Sequence, residues 1–169
     1  MTQVLVAAGS NIEPVANLRR ALDLLARQYP RLQCSRAYRN AAVGFEGEDF
    51  VNLVAGFDTD DDVQSVLARL HEAEAACGRA RDAPKWAPRS MDLDILLFGD
   101  RVCDEPGLVL PRPDLARRAY MLGPMAELAP DFVHPTVGST LRELWSAFDR
   151  EAHPMQPVQL GWRARGREA

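Results

Sequence analysis

Residues 85–99 read Lys85-Trp86-Ala87-Pro88-Arg89-Ser90-Met91-Asp92-Leu93-Asp94-Ile95-Leu96-Leu97-Phe98-Gly99. A proline-bearing turn runs into an apolar stretch that Gly99 ends, which predicts a strand over 91–98. Side chains alternate along a strand, so Asp92 and Asp94 share one face while Leu93, Ile95 and Leu97 share the other. Two carboxylates held side by side repel unless a cation joins them, and hard divalent ions such as Mg²⁺ prefer such oxygen donors. Spacing alone leaves two readings open, a metal site and an edge strand with two solvated aspartates. Arg89 and Trp86 just upstream favour the phosphate-and-metal reading.

Working outward, this strand closes a recognisable series. Residues 2–8 read as a buried strand ended by Gly9-Ser10-Asn11. Residues 13–29 carry Leu18, Ala21, Leu22 and Leu25 at helical spacing, with Pro30 as the stop. A short strand over 33–39, a loop over 40–49 and a strand over 50–57 follow. Acidic residues at 58–62 cap a helix to about residue 77, where Gly78 stops it. Strand, helix, strand, strand, helix, strand predicts an α+β, ferredoxin-like sandwich: an antiparallel sheet with helices packed on it, interrupted by long loops over 40–49 and 79–90. Beyond Gly99 the pattern loosens through Pro106, Pro111 and Pro113. Helices are predicted over 117–128 and 139–148, within one domain of residues 1–149. Residues 150–169 read as a mobile tail or a late appended strand.

The 169 residues, 47% hydrophobic and 26% charged, suit one globular domain. A net charge of −4 recruits neither nucleic acid nor an anionic membrane. Lys85 is the only lysine; genomic bias explains such an imbalance, and arginine is also the better bidentate binder of phosphate. Cys34, Cys77 and Cys103 lack zinc or disulfide spacing. With no positive leader or long apolar run at the start, they predict a cytoplasmic protein. His71, His134 and His153 are isolated, and a surface or structural role is expected of each.

Arg79, Arg81 and Arg89 cluster before the aspartates, where guanidiniums can neutralise a metal-bound polyphosphate. A solvated basic loop is the plainer alternative for any one of them. Gly9-Ser10-Asn11 is not a Walker loop, and a simple strand-to-helix turn explains it. Trp86 reads as a lid over substrate or a local packing plug. Phe50 and Asn52, two apart, share a strand face; an aromatic plate beside an amide suits a flat heterocycle, and core packing with a surface amide remains the alternative.

Taken in order, Gly9-Ser10-Asn11, Tyr38-Arg39, Gly44, Phe50-Val51-Asn52, Gly78-Arg79-Ala80-Arg81, the block from Trp86 to Gly99, Arg118-Ala119-Tyr120-Met121-Leu122 and Pro124 resemble 6-hydroxymethyl-7,8-dihydropterin pyrophosphokinases. The resemblance implies transfer of the β,γ-pyrophosphoryl unit of ATP to the pterin hydroxymethyl group, leaving AMP, in folate biosynthesis. It implies Asp92 and Asp94 as ligands of two Mg²⁺ ions and Arg79 and Arg89 as catalytic-loop arginines. Glu74, Arg81, Ile95 and Arg118 would line the ATP site, and Trp86 would close over it. Phe50 and Tyr120 would sandwich the pterin, Asn52 would bond its edge, and the backbone from Asn40 to Val43 would contact it. A monomer is implied as well. The chain departs from the family's pattern at Asn40-Ala41-Ala42-Val43, where prolines are usual. It departs again at Pro111-Arg112, where a histidine expected on the ATP phosphates is arginine, and Arg112 is expected to meet a phosphate in its place. A divergent paralogue that binds pterin or nucleotide with altered or weak catalysis is therefore an alternative. A two-metal phosphodiesterase is a further one, although the extra Asp and His ligands of such sites are missing.

Overall fold

The first strand, β1 (Thr2–Ser10), is apolar at nearly every position, as a strand covered on both faces must be. The computed structural model describes residues 1–40, 49–78 and 91–163. In it β1 leads to α1 (Pro14–Gln28), β2 (Gln33–Cys34), β3 (Ala37–Asn40), β4 (Phe50–Thr59), α2 (Val63–Ala76) and β5 (Asp92–Phe98). A hairpin, β6 (Cys103–Glu105) with β7 (Leu108–Leu110), then α3 (Ala119–Leu128), α4 (Leu141–Ser146) and β8 (Gln156–Val158) complete it. The main sheet runs β5-β1-β4-β3-β8, with β2 also on β4, and every pairing is antiparallel. The expected ferredoxin-like sandwich is what forms. Because β1 and β4 are central, the chain from residue 9 to 11 and the start of β4 lie at one end of the sheet beside the start of β5.

Each face has its own core. Val4, Val6 and Ala8 of β1 and Val51 and Leu53 of β4 pack against Leu18, Leu22 and Leu25 of α1 and Val66 and Leu70 of α2. On the other face Leu5, Val54, Leu96 and Leu97 meet Met121, Leu122 and Met125 of α3 and Leu141 of α4. The strict alternation expected of β5 therefore fails at Leu97, which does not share a face with Leu93 and Ile95. The β1–β5 register shifts between Leu5 and Val6, pairing Leu5 with Leu97 but Val6 with Ile95. One extra residue, Leu96, forms a bulge and reverses the phase of the strand beyond it.

The strand expected over 33–39 is likewise two strands. Between them the Ser35 hydroxyl accepts the Val54 N–H at 3.0 Å while the Ser35 N–H donates to the Val54 carbonyl at 2.9 Å, so the kink leaves no buried backbone group unpaired there. Asp62 caps α2 by accepting the Ser65 N–H at 2.8 Å, and Gly78 follows at φ 89°, a left-handed stop. The helix expected over 139–148 shortens to six residues behind a Thr140–Glu143 capping box. The β6–β7 hairpin falls where only loosened patterning was read; its strands are three residues each, too short to show a period. Of the two readings of the final segment, the appended strand forms. β8 pairs with β3, and Trp162 Nε1 donates to Asp23 on α1 at 2.9 Å. No helix among the described residues is long and apolar enough to cross a membrane.

His134 is buried, and its Nδ1 faces the N–H groups of Thr136 and Val137 at 3.3 and 3.2 Å. That is the structural role expected of it. Burial holds its pKa below the ordinary 6.5, so the folded chain binds the proton less readily than the unfolded one. Stability contributed by the neutral ring is present above the unfolded pKa and is lost as pH falls through that value toward the folded one. The melting temperature should drop between pH 7.5 and 5.5, and H134N should flatten that slope.

Candidate active site

The pleat and register bring three strands to one row. Gly9 pairs with Asn52 of β4 on one side and with Asp92 of β5 on the other. Adjacent strands lie about 4.8 Å apart, so Asn52 and Asp92 stand roughly 10 Å apart across a residue with no side chain. Val51 and Leu53 point into the α1–α2 core, so Phe50 and Asn52 point to the α3 side, as Asp92 and Asp94 do. A Cβ built on Gly9 would land on the Asn52 amide oxygen and lie 3.8 Å from the Phe50 ring. Gly9 is thus the floor of the row rather than a turn residue, a role missed in the sequence because β1 runs two residues further than patterning suggests. The Asn52 Nδ2 donates to Asn40 Oδ1 at 2.9 Å, which fixes the amide and turns its oxygen over Gly9.

At the other end Asp94 Oδ2 lies 2.8 Å from Arg112 Nη1, and Arg112 Nε lies 3.0 Å from Asp114 Oδ1. The Arg112 backbone N–H donates to the carbonyl of Leu96, the bulge residue, at 3.0 Å. Burial lowers the affinity of the Arg112 guanidinium for its proton, but Asp94 and Asp114 outweigh it and raise its pKa. Burial pushes the Tyr120 hydroxyl up; Arg118 opposes this, Asp114 adds to it, and Arg112 and Asp92 act in the same opposed pair of senses. Tyr120 therefore sits within electrostatic reach of Asp92 and Asp114, and Arg118 within reach of Tyr120. Arg118 is exposed as the N-cap of α3.

Glu74 and Ile95 come to the outer edge of β5. Glu74 Oε2 accepts the Leu93 N–H at 3.0 Å, tying α2 to the strand between the two aspartates. Ile95 is buried yet borders a cleft shared by Leu67, His71, Val109, Arg112 and Asp114. Asp114 escaped sequence reading, whereas His71, expected in a surface or structural role, borders this cleft three residues before Glu74 on the same helix face. Val43, Arg79, Arg81, Trp86 and Arg89 lie outside the described residues. The structure thus gathers Asn40, Phe50, Asn52, Asp92, Asp94, Arg112, Arg118 and Tyr120 on one side of the sheet, with Glu74 and Ile95 on its edge.

Among the described residues no group of three or more His, Cys, Asp or Glu could cage a metal. Two partly exposed carboxylates on one strand face fit Mg²⁺ all the same, because that ion takes one or two carboxylates and completes its shell with water and substrate phosphates. An amide and an aromatic at one end and carboxylates at the other suit a flat polar ring joined to a polyphosphate.

Residues 5–130 match the model of the family described as 7,8-dihydro-6-hydroxymethylpterin-pyrophosphokinase. The chain belongs to that family. Its relatives include the 2-amino-4-hydroxy-6-hydroxymethyldihydropteridine pyrophosphokinase of Pseudomonas aeruginosa, 40% identical over 86% of this chain and 91% of that one. The Synechocystis enzyme of the same name is 35% identical over 92% of this chain and 82% of its own length. A crystal structure of an HPPK-DHPS in complex with substrates superposes with a TM-score of 0.68 at 12% identity, covering 89% of this chain. This chain spans 44% of that one, and the likeness is one of fold. As a pyrophosphokinase, the protein transfers pyrophosphate from ATP to hydroxymethyldihydropterin in folate biosynthesis. Nothing among the relatives favours the divergent paralogue.

Proposed function

We propose that the row Asn52–Gly9–Asp92, continued by Asp94, is where the pyrophosphoryl group passes. One observation carries the reading: the register of β1 with both neighbours sets an amide and a carboxylate on either side of a bare glycine. The pterin lies at the Asn52 end between Phe50 and Tyr120, its edge bonded by Asn52 and by the backbone of residues 40–43. The ATP triphosphate lies at the carboxylate end, with Glu74, Ile95, Arg112 and Arg118 around the nucleotide. Arg79, Arg81, Trp86 and Arg89 join it on the strength of the sequence alone. Asp92 and Asp94 are the carboxylates for two Mg²⁺ ions. Magnesium bound there supplies neutralisation of phosphate charge and acidifies the alcohol.

The pterin alcohol oxygen forms a bond to the β-phosphorus while the bond from that phosphorus to the α–β bridging oxygen breaks, and AMP leaves. Such a transfer asks the protein for alignment and for neutralisation of spreading negative charge. Asn52, its amide held by Asn40, aligns the ring so that the hydroxymethyl points across Gly9. The arginines offset the charge. A monomer in the cytoplasm completes the reading, and the three free thiols suit a reducing compartment. Incubation with ATP, Mg²⁺ and 6-hydroxymethyl-7,8-dihydropterin tests it: AMP should appear in step with pterin pyrophosphate. AMP formed without the pterin, or pterin bound without AMP, overturns it.

A further inference from the structure

Arg112 is gripped three ways. Nη1 holds Asp94 at 2.8 Å, Nε holds Asp114 at 3.0 Å, and the backbone N–H is tied to the Leu96 carbonyl at 3.0 Å. About a third of the Arg112 side chain is exposed, as is a similar share of Asp94 and Asp114, so the fork is open to solvent on one side. A guanidinium and a hard divalent ion compete for the same carboxylate oxygens, since the N–H groups of the one donate hydrogen bonds to lone pairs that the other takes as ligands. The two outer anchors remain when the Asp94 contact is given up. Arginine freed from Asp94 stays beside the site and can take up a phosphate oxygen by the same fork.

We propose that Arg112 is a resident cation on Asp94 that divalent metal must displace, with Asp114 keeping it at hand for the incoming triphosphate. The inference rests on the assignment of Asp92 and Asp94 as metal carboxylates. Its consequence is coupling: metal alone competes against Arg112, whereas metal arriving with nucleotide gives the displaced guanidinium a new anionic partner. Free metal therefore binds weakly and metal–nucleotide binds well. The coupling is reciprocal, so the metal strengthens nucleotide binding by the same factor. Arg112 acts through Asp94, as a positioning residue.

The test is Mn²⁺ binding followed by electron paramagnetic resonance, with and without a non-hydrolysable ATP analogue, in the wild-type protein, R112Q, R112K and D94N. R112Q should bind free Mn²⁺ roughly 3- to 10-fold more tightly than wild type, the range expected for removing one partly exposed opposing ion pair. With the analogue present that gain should vanish or reverse. R112K keeps a charge that cannot bridge both aspartates and should fall between. R112Q and R112K binding free Mn²⁺ no better than wild type, while D94N loses the ion, overturns the inference and leaves the metal assignment standing. Undiminished Mn²⁺ binding in D94N overturns that assignment and this inference together. Thermal melts of the variants guard the comparison, because a change in fold lowers affinity whereas the expected change raises it.

Discussion

D94A abolishes pyrophosphoryl transfer and leaves the chain folded: turnover should fall on the order of 10³-fold or more while the melting temperature stays close to wild type. Stabilising charge that spreads over transferring phosphoryl oxygens contributes several kcal/mol, and each ~1.4 kcal/mol is tenfold in rate. Asp94 supplies one of the two carboxylates on which that stabilisation depends in the proposed mechanism. Its side chain is 39% exposed, so no core is opened by its removal. The lost ion pair with Arg112 is partly exposed and contributes under about 1 kcal/mol, and Asp114 still holds the guanidinium. The backbone of β5 is kept by its ladder to β1 and by Glu74 on the Leu93 N–H. AMP release at saturating ATP and pterin, beside a thermal melt, reads both quantities. Near-normal turnover in a folded D94A would sink the metal role of this strand.

G9A should cost about 10² in kcat/KM for the pterin, with ATP affinity nearly unchanged. The new methyl would occupy the place of the Asn52 amide oxygen, so Asn52 has to turn away. Turning breaks its bond to Asn40 and withdraws the Asn52 amide from a ring edge. Misplacing a bound reactant by about 1 Å is enough for a loss of that size. The methyl itself is tolerated by a strand, and alanine there loses less backbone entropy than glycine on folding, so stability should hold. Kinetics of G9A, N52A and the double variant separate this from a general disturbance. If Gly9 acts through Asn52, the second substitution adds little to the first, whereas additive losses would refute the link.

These two residues also show where sequence reading was sufficient and where it failed. Asp92 and Asp94 stand two apart in a strand, and the shared face follows from the pleat without reference to any other part of the chain. The same holds for Phe50 and Asn52. Gly9 could not be read this way. A glycine at a strand end looks like a turn, and its meaning comes from having Asn52 on one side and Asp92 on the other, partners separated from it by 43 and 83 positions. Leu97 was misjudged because a bulge is a property of two strands in register, invisible in one of them. Arg112 stands where the family's phosphate histidine is expected, and only the tertiary structure shows its fork closing on Asp94 and Asp114.

The sequence by itself determined the alternation of main strands and helices up to β5, the antiparallel ferredoxin-like sandwich, the paired carboxylates, the aromatic–amide pair and the family. Each of these rests on period, on capping or stop residues, or on a local motif, and interactions within a few residues decide them. Tertiary structure alone decided which strands neighbour one another, and hence the row across Gly9. It also decided the reversal of β5 at Leu96, the seat of Arg112 and the addition of β8 to the sheet edge. Those outcomes depend on pairing energies and on side chains meeting across long stretches of chain, and a local pattern carries no record of its distant partner.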